Sequence, residues 1–101
     1  MKKDVLLRKI EKLRKDGGYG LQELFDKNYD GGCPCFSGEF DVGGKKQEVW
    51  GRCWRVSDNT QDLHFFGDIE IGKAIKKCLD AQKWYNKYTL IIHDKPFLIN
   101  P

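Results

Sequence analysis

The sequence predicts an α+β domain in which helices cover one face of a mainly antiparallel sheet. Three observations lead there. Apolar residues recur at helical spacing near the N-terminus and again after residue 68. Elsewhere the apolar period drops to two, the signature of half-buried strands. A Gly43-Gly44 pair separates two of those alternating runs, as a hairpin turn would. The expected element order is α-α-β-β-β-α-β-β, with an N-terminal αα-hairpin and a sheet of four to five strands.

The first helix is expected over residues 3–15. Leu6, Ile10 and Leu13 form an i, i+4, i+7 stripe, and Arg8, Lys12 and Lys15 lie opposite. Asp16-Gly17-Gly18 ends it, because glycine adopts the left-handed C-terminal conformation at little cost. A shorter helix is expected at about 20–29, with Leu21, Leu24, Phe25 and Tyr29 on one side. Phe36, Gly38, Phe40 and Val42 then alternate with Ser37, Glu39 and Asp41 as a strand. After Gly43-Gly44 the chain returns over Lys45–Val56. With a two-residue turn, Val42 pairs with Lys45, Phe40 with Gln47, Gly38 with Val49 and Phe36 with Gly51. A third strand spans Asp62–Phe66. Asp68 can cap a helix over about 69–86, whose apolar stripe is Ile71, Ala74, Ile75, Cys78 and Leu79. Tyr88–His93 reads as a strand, and Phe97–Ile99 as a short last one after the Asp94-Lys95-Pro96 turn.

A length of 101 residues fits one domain, 1–101, and 40% hydrophobic with 33% charged residues is ordinary for a globular chain. No apolar run approaches the roughly 20 residues that span a bilayer. Met1-Lys2-Lys3-Asp4 leads into a charged amphipathic stretch, unlike a secretory signal, so a cytoplasmic location with reduced cysteines is expected. The net charge of +3 is spread unevenly. Residues 1–15 hold seven bases against two acids, residues 16–42 one against six, and residues 57–70 four acids and no base. Patches of both signs favour a chosen partner over any polyanion.

Val49-Trp50-Gly51-Arg52-Cys53-Trp54-Arg55-Val56 is the densest functional signal. On a strand, Trp50, Arg52, Trp54 and Val56 share one face, and Val49, Gly51, Cys53 and Arg55 the other. The hairpin register puts the small Val49/Gly51/Cys53 face in the core with Phe36 and Phe40. Trp50, Arg52 and Trp54 then share the opposite face with Glu39 and Asp41. Two indoles interleaved with a guanidinium have the composition of an interface hot spot.

Other constellations are poorer. Cys33-Pro34-Cys35, with Cys53 elsewhere, offers thiolates for zinc or redox chemistry, but the usual short chelate is C-x₂-C and no second short pair exists. The charges nearest this pair are acidic, Asp30 and Glu39, which oppose thiolate formation. Cys53 and Cys78 read as core positions. His64 and His93 lack a recognisable nucleophile and orienting group. Gly17-Gly18-Tyr19-Gly20 has no preceding strand and no following Lys-Ser/Thr, so it is not a phosphate loop.

The expectation is a non-enzymatic binding protein of adaptor, inhibitor or immunity type, with another protein as partner and no cofactor. Trp50, Arg52, Trp54 and Arg55 would carry the contact, with Trp84 and Tyr85 at a helix end. The alternative is nucleotide or single-stranded nucleic-acid binding, bases stacking on Trp50 and Trp54 beside Arg52. A second alternative is a small zinc or redox protein using Cys33, Cys35 and Cys53. Membrane binding is not expected, and the sequence carries no signature of oligomeric state.

Overall fold

The structure, a computed structural model, describes residues 1–18, 20–24, 36–52, 60–82 and 87–93, and for residues 22, 23, 36, 37, 50–52, 60, 61 and 87 the backbone alone. Two α-helices and a four-stranded sheet make up the described part, in the order α1 (Lys3–Lys15), a 3₁₀ turn (Leu21–Leu24), β1 (Phe36–Val42), β2 (Lys45–Arg52), β3 (Thr60–Phe66), α2 (Ile69–Asp80) and β4 (Lys87–His93). The sheet order is β1-β2-β3-β4. The first three strands pair antiparallel, and β4 joins β3 in parallel. A parallel pair needs a crossover rather than a hairpin, and α2 supplies it.

The β1–β2 register is the one the glycine pair dictates: Val42 opposite Lys45, Phe40 opposite Gln47, Gly38 opposite Val49, Phe36 opposite Gly51. Gly43 and Gly44 have φ of 60° and 82°, which the two central positions of such a turn require. The Asp41 carboxylate accepts from the Gly44 N–H at 2.9 Å and closes the turn. The Met1 carbonyl accepts from the Gly43 N–H at 3.0 Å, so the chain start sits beside this turn.

One sheet face carries the core. Phe40, Val49, Leu63 and Phe65 are buried there with Leu6 and Ile10 of α1, Leu21, and Ile71, Ile75, Cys78 and Leu79 of α2. The Phe40 and Phe65 rings lie 6.5 Å apart. Burying each such large side chain contributes roughly 1.5–3 kcal/mol. Gly72 lets α2 lie close to β3, since a Cβ there would stand 2.8 Å from the Phe65 ring.

The two helices run side by side in the same direction. At their starts, the Lys3 ammonium bridges Asp68 at 2.9 Å and Glu70 at 2.8 Å. Asp68 caps α2 as expected, accepting from the N–H groups of Glu70 and Ile71 at 2.8 and 3.2 Å. The Asp68 N–H itself donates to Gln47 Oε1 at 3.0 Å, tying β2 to the same point. At their ends, the Gly18 carbonyl just beyond α1 accepts from Gln82 Nε2 at 3.0 Å and from Cys78 Sγ at 3.8 Å.

Two expectations need correction. The αα-hairpin is not found among the described residues. Where a second helix was expected from residue 20, Gly20 has a φ of 83° and a single 3₁₀ turn follows at Leu21–Leu24. Leu21 and Leu24 stand three apart, which suits three residues per turn as well as an α-helix. The rest of that segment lies outside the described residues. The helix after Asp68 also stops earlier than expected, at Asp80 with Ala81 as its C-cap. A fifth strand at 97–99 falls outside the described residues, as does the extension of β2 over 53–56.

Gly18 is the backbone position with least tolerance. Its φ is +80°, and a Cβ there would run into the Cys78 carbonyl. Gly18→Ala is expected to lower stability by about 2–4 kcal/mol through strain and overpacking, measured by urea unfolding. Lys3 holds the Asp68 carboxyl below its ordinary value of 3.8, helped by the Ile71 and Glu70 N–H groups. A lowered carboxylate stabilises the fold above its unfolded value, and that contribution disappears as pH falls through the folded value. The stability gap between wild type and Asp68→Asn is therefore expected in full at neutral pH and to close below the ordinary value of 3.8, read by thermal melts across an acid series.

Candidate functional site

Side chains alternate across a strand, so the positions between the core residues form the other sheet face. Among the described residues, no helix packs on it. The pairing lays it out in five rows: Asp41 and Lys46; Glu39, Glu48, Phe66 and His93; Ser37, Trp50, His64 and Ile91; Arg52, Asp62 and Thr89; and Thr60 and Lys87. Trp50 and Arg52 thus occupy the face predicted from the turn register. Trp54, Arg55, Trp84, Tyr85, Cys33, Cys35 and Cys53 lie outside the described residues.

His64 and His93 meet on this face. His64 Nδ1 and His93 Nε2 are 2.7 Å apart, one ring donating to the other. The ring planes are 20° from parallel and the centroids 5.0 Å apart, so the two rings meet end to end through these nitrogens. Phe66 stacks on the His93 ring at 4.4 Å and 13°. All three side chains are half-buried. Aromatic stacking of this kind is worth about 0.5–1.5 kcal/mol beyond area burial, and it restricts ring rotation.

The carboxylates form the other end of the face. Glu39 and Glu48 sit directly opposite each other on β1 and β2. Lys46 Nζ approaches Glu39 at 4.0 Å, the Glu39 side chain being 19% exposed and that of Lys46 73%. Glu48 Oε2 is buried and has no hydrogen-bond partner. An unpaired buried carboxylate oxygen is costly, which marks Glu48 as a group that would gain from a positive charge brought to it. Asp41 and Asp62 add to the acidic character, and the positive positions are Lys46, Arg52 and Lys87.

The helical layer has the opposite balance. Lys9, Lys12, Lys15, Lys73 and Lys77 are exposed on α1 and α2. The acids Asp4, Glu11 and Asp80 are engaged by Arg8, Arg14 and Lys76 along the same helices. Hydrogen bonding to Arg14 holds the Glu11 carboxyl below its ordinary value. Exposed lysines thus line the helices, while the open sheet face mixes carboxylates with Lys46, Arg52 and Lys87.

Sequence reasoning treated the two histidines separately. Their meeting depends on β3 and β4 being parallel and in a fixed register. The signal that could have found it is the β3-α2-β4 pattern, because two adjacent strands joined by a helix run parallel. Among the described residues, no group of three or more His, Cys, Asp or Glu side chains converges as a metal cluster does, and no helix is long and apolar enough to cross a membrane. Comparisons of the chain with protein-family models, with curated proteins and with solved structures each give no match, so the residues themselves carry the functional reading.

Cys78 lies in the core, as its place in the α2 stripe predicts. Burial pushes its thiol up to about 11, against a smaller opposing pull from Arg14. A thiol held protonated is a poor nucleophile. Alkylation by iodoacetamide at about pH 8 is expected to leave Cys78 unmodified in the folded protein and to modify it in urea, resolved by peptide mass mapping. Comparable rates in both states would contradict the burial described.

Proposed function

We propose that this chain is a non-enzymatic binding protein and that its partner is another protein, engaged through the sheet face holding Trp50, Arg52, His64, Phe66 and His93. The observation carrying this reading is that both helices lie on one side of the sheet, while the other side gathers aromatic, imidazole and charged positions. Aromatic and arginine residues dominate interface energetics when a partner desolvates them. Trp54 and Arg55, next along the same chain segment, extend the composition. An adaptor, inhibitor or immunity-type role suits a small domain with such a face.

The charge balance of the face favours a protein partner over nucleic acid. Four acidic positions on this face, Glu39, Asp41, Glu48 and Asp62, stand against three basic ones, Lys46, Arg52 and Lys87. Such a mixed face lacks the net positive charge that drives phosphate binding. Cys33, Cys35 and Cys53, on which the zinc or redox alternative rests, lie outside the described residues.

The test is parallel capture from a lysate of the native host. Wild type, Trp50→Ala, Arg52→Ala and the helix-side control Lys73→Glu serve as baits. A protein retained by wild type and Lys73→Glu and lost by both sheet-face variants is the expected result. Loss with Lys73→Glu alone would move the interface to the helices and defeat the reading. Fluorescence titration with single-stranded oligonucleotides at low salt is expected to stay flat.

A further inference from the structure

Net positive charge is gathered on the helical layer. Residues 1–18 and 68–82, which hold both helices and their ends, carry ten bases against six acids, a surplus larger than the +3 of the whole chain. Five of those acids are in ion pairs: Asp4 with Arg8, Glu11 with Arg14, Asp68 and Glu70 with Lys3, and Asp80 with Lys76. Lys2, Lys9, Lys12, Lys15, Lys73 and Lys77 are exposed and have no ion-pair partner among the described residues. Lys12, Lys15 and Lys77 stand in last turns, where the helix dipole favours a cation; Lys9 and Lys73 do not, and the dipole leaves them unexplained.

We propose that the helical layer docks on an anionic lipid bilayer, held by these lysines at the level of the headgroups. Lys9, Lys12 and Lys15 recur every three residues and form a row along α1; Lys73 and Lys77 form another along the neighbouring α2. Two rows on one layer match an extended sheet of headgroup charge better than a single small anion. The apolar stripes of both helices are spent on the core, and of their large apolar residues only Ile69 is exposed. Adsorption is therefore electrostatic and falls with salt. The unpaired cations are all lysines, because Arg8 and Arg14 are committed to Asp4 and Glu11. A lysine is a hydrated point charge that meets a headgroup in any orientation, whereas nucleic-acid recognition draws on arginine forks and stacking aromatics. Neither helix contains an aromatic residue. The expectation of no membrane binding rested on spanning and signal segments, and surface adsorption needs neither.

The helices lie on the opposite side of the sheet from the partner face, so this docking and the partner-binding reading stand or fall separately. The test is sedimentation of the full chain with vesicles of phosphatidylserine and phosphatidylcholine in equal parts, and with phosphatidylcholine alone, at low and at physiological salt. Binding to the anionic vesicles only, weakening as salt rises, is the expected result. Lys9→Gln/Lys73→Gln is expected to weaken it roughly 25-fold, at about fivefold per lysine, while the sheet-face variant Lys46→Gln binds as wild type does. Neither Lys9 nor Lys73 has an ion-pair partner among the described residues, so the fold does not depend on them. No binding to anionic vesicles at low salt overturns the proposal, as does equal binding to both kinds of vesicle or an undiminished double variant. Duplex DNA that binds more tightly than the vesicles, and less tightly to the double variant, would assign the layer to nucleic acid instead.

Discussion

A slip of one residue of β1 against β2 would bury Glu39 and Asp41 and drive Phe40 and Val42 into water. Alternation across a strand makes that exchange complete, so the register of this hairpin decides what both faces of the sheet are. Gly43 and Gly44, with positive φ at both turn positions, hold the register. Val49 is 1% exposed as a result, and Trp50 beside it belongs to the other face. The core and the candidate interface are two outcomes of one geometric choice.

Most of the architecture is legible in the sequence where local pattern and turn chemistry agree. The α1 stripe of Leu6, Ile10 and Leu13, the hairpin register and the Asp68 cap were each readable from a few neighbouring residues. The misreadings are of two physical kinds. At residues 20–24, an apolar spacing of three does not separate a 3₁₀ turn from the start of an α-helix, and Gly20 settles the matter through its backbone. The His64–His93 contact is non-local: 29 positions separate the two rings. It depends on a parallel register that alternation alone does not encode. Trp50 and Arg52 were placed correctly on their face because that inference needed only the turn and the alternation.

Both ends of α2 are pinned to other elements. Asp68 at its start is held by Lys3 from α1 and by Gln47 from β2. Cys78 and Gln82 at its end close on the Gly18 carbonyl. The helix that carries the chain from β3 to β4 is therefore fixed in place along its length, with Gly72 against Phe65 between the two anchor points.

The parallel run of α1 and α2 has an electrostatic consequence. Neighbouring antiparallel helices cancel their macrodipoles; these two add. Partial positive charge collects where both helices begin, and Asp4, Asp68 and Glu70 stand there. Partial negative charge collects where both end, and Lys12, Arg14, Lys15 and Lys77 occupy those last turns. The side-chain charges thus oppose a field that the backbone geometry creates. Much of the lysine surplus over the helical layer serves as a counterweight to the peptide units beneath it.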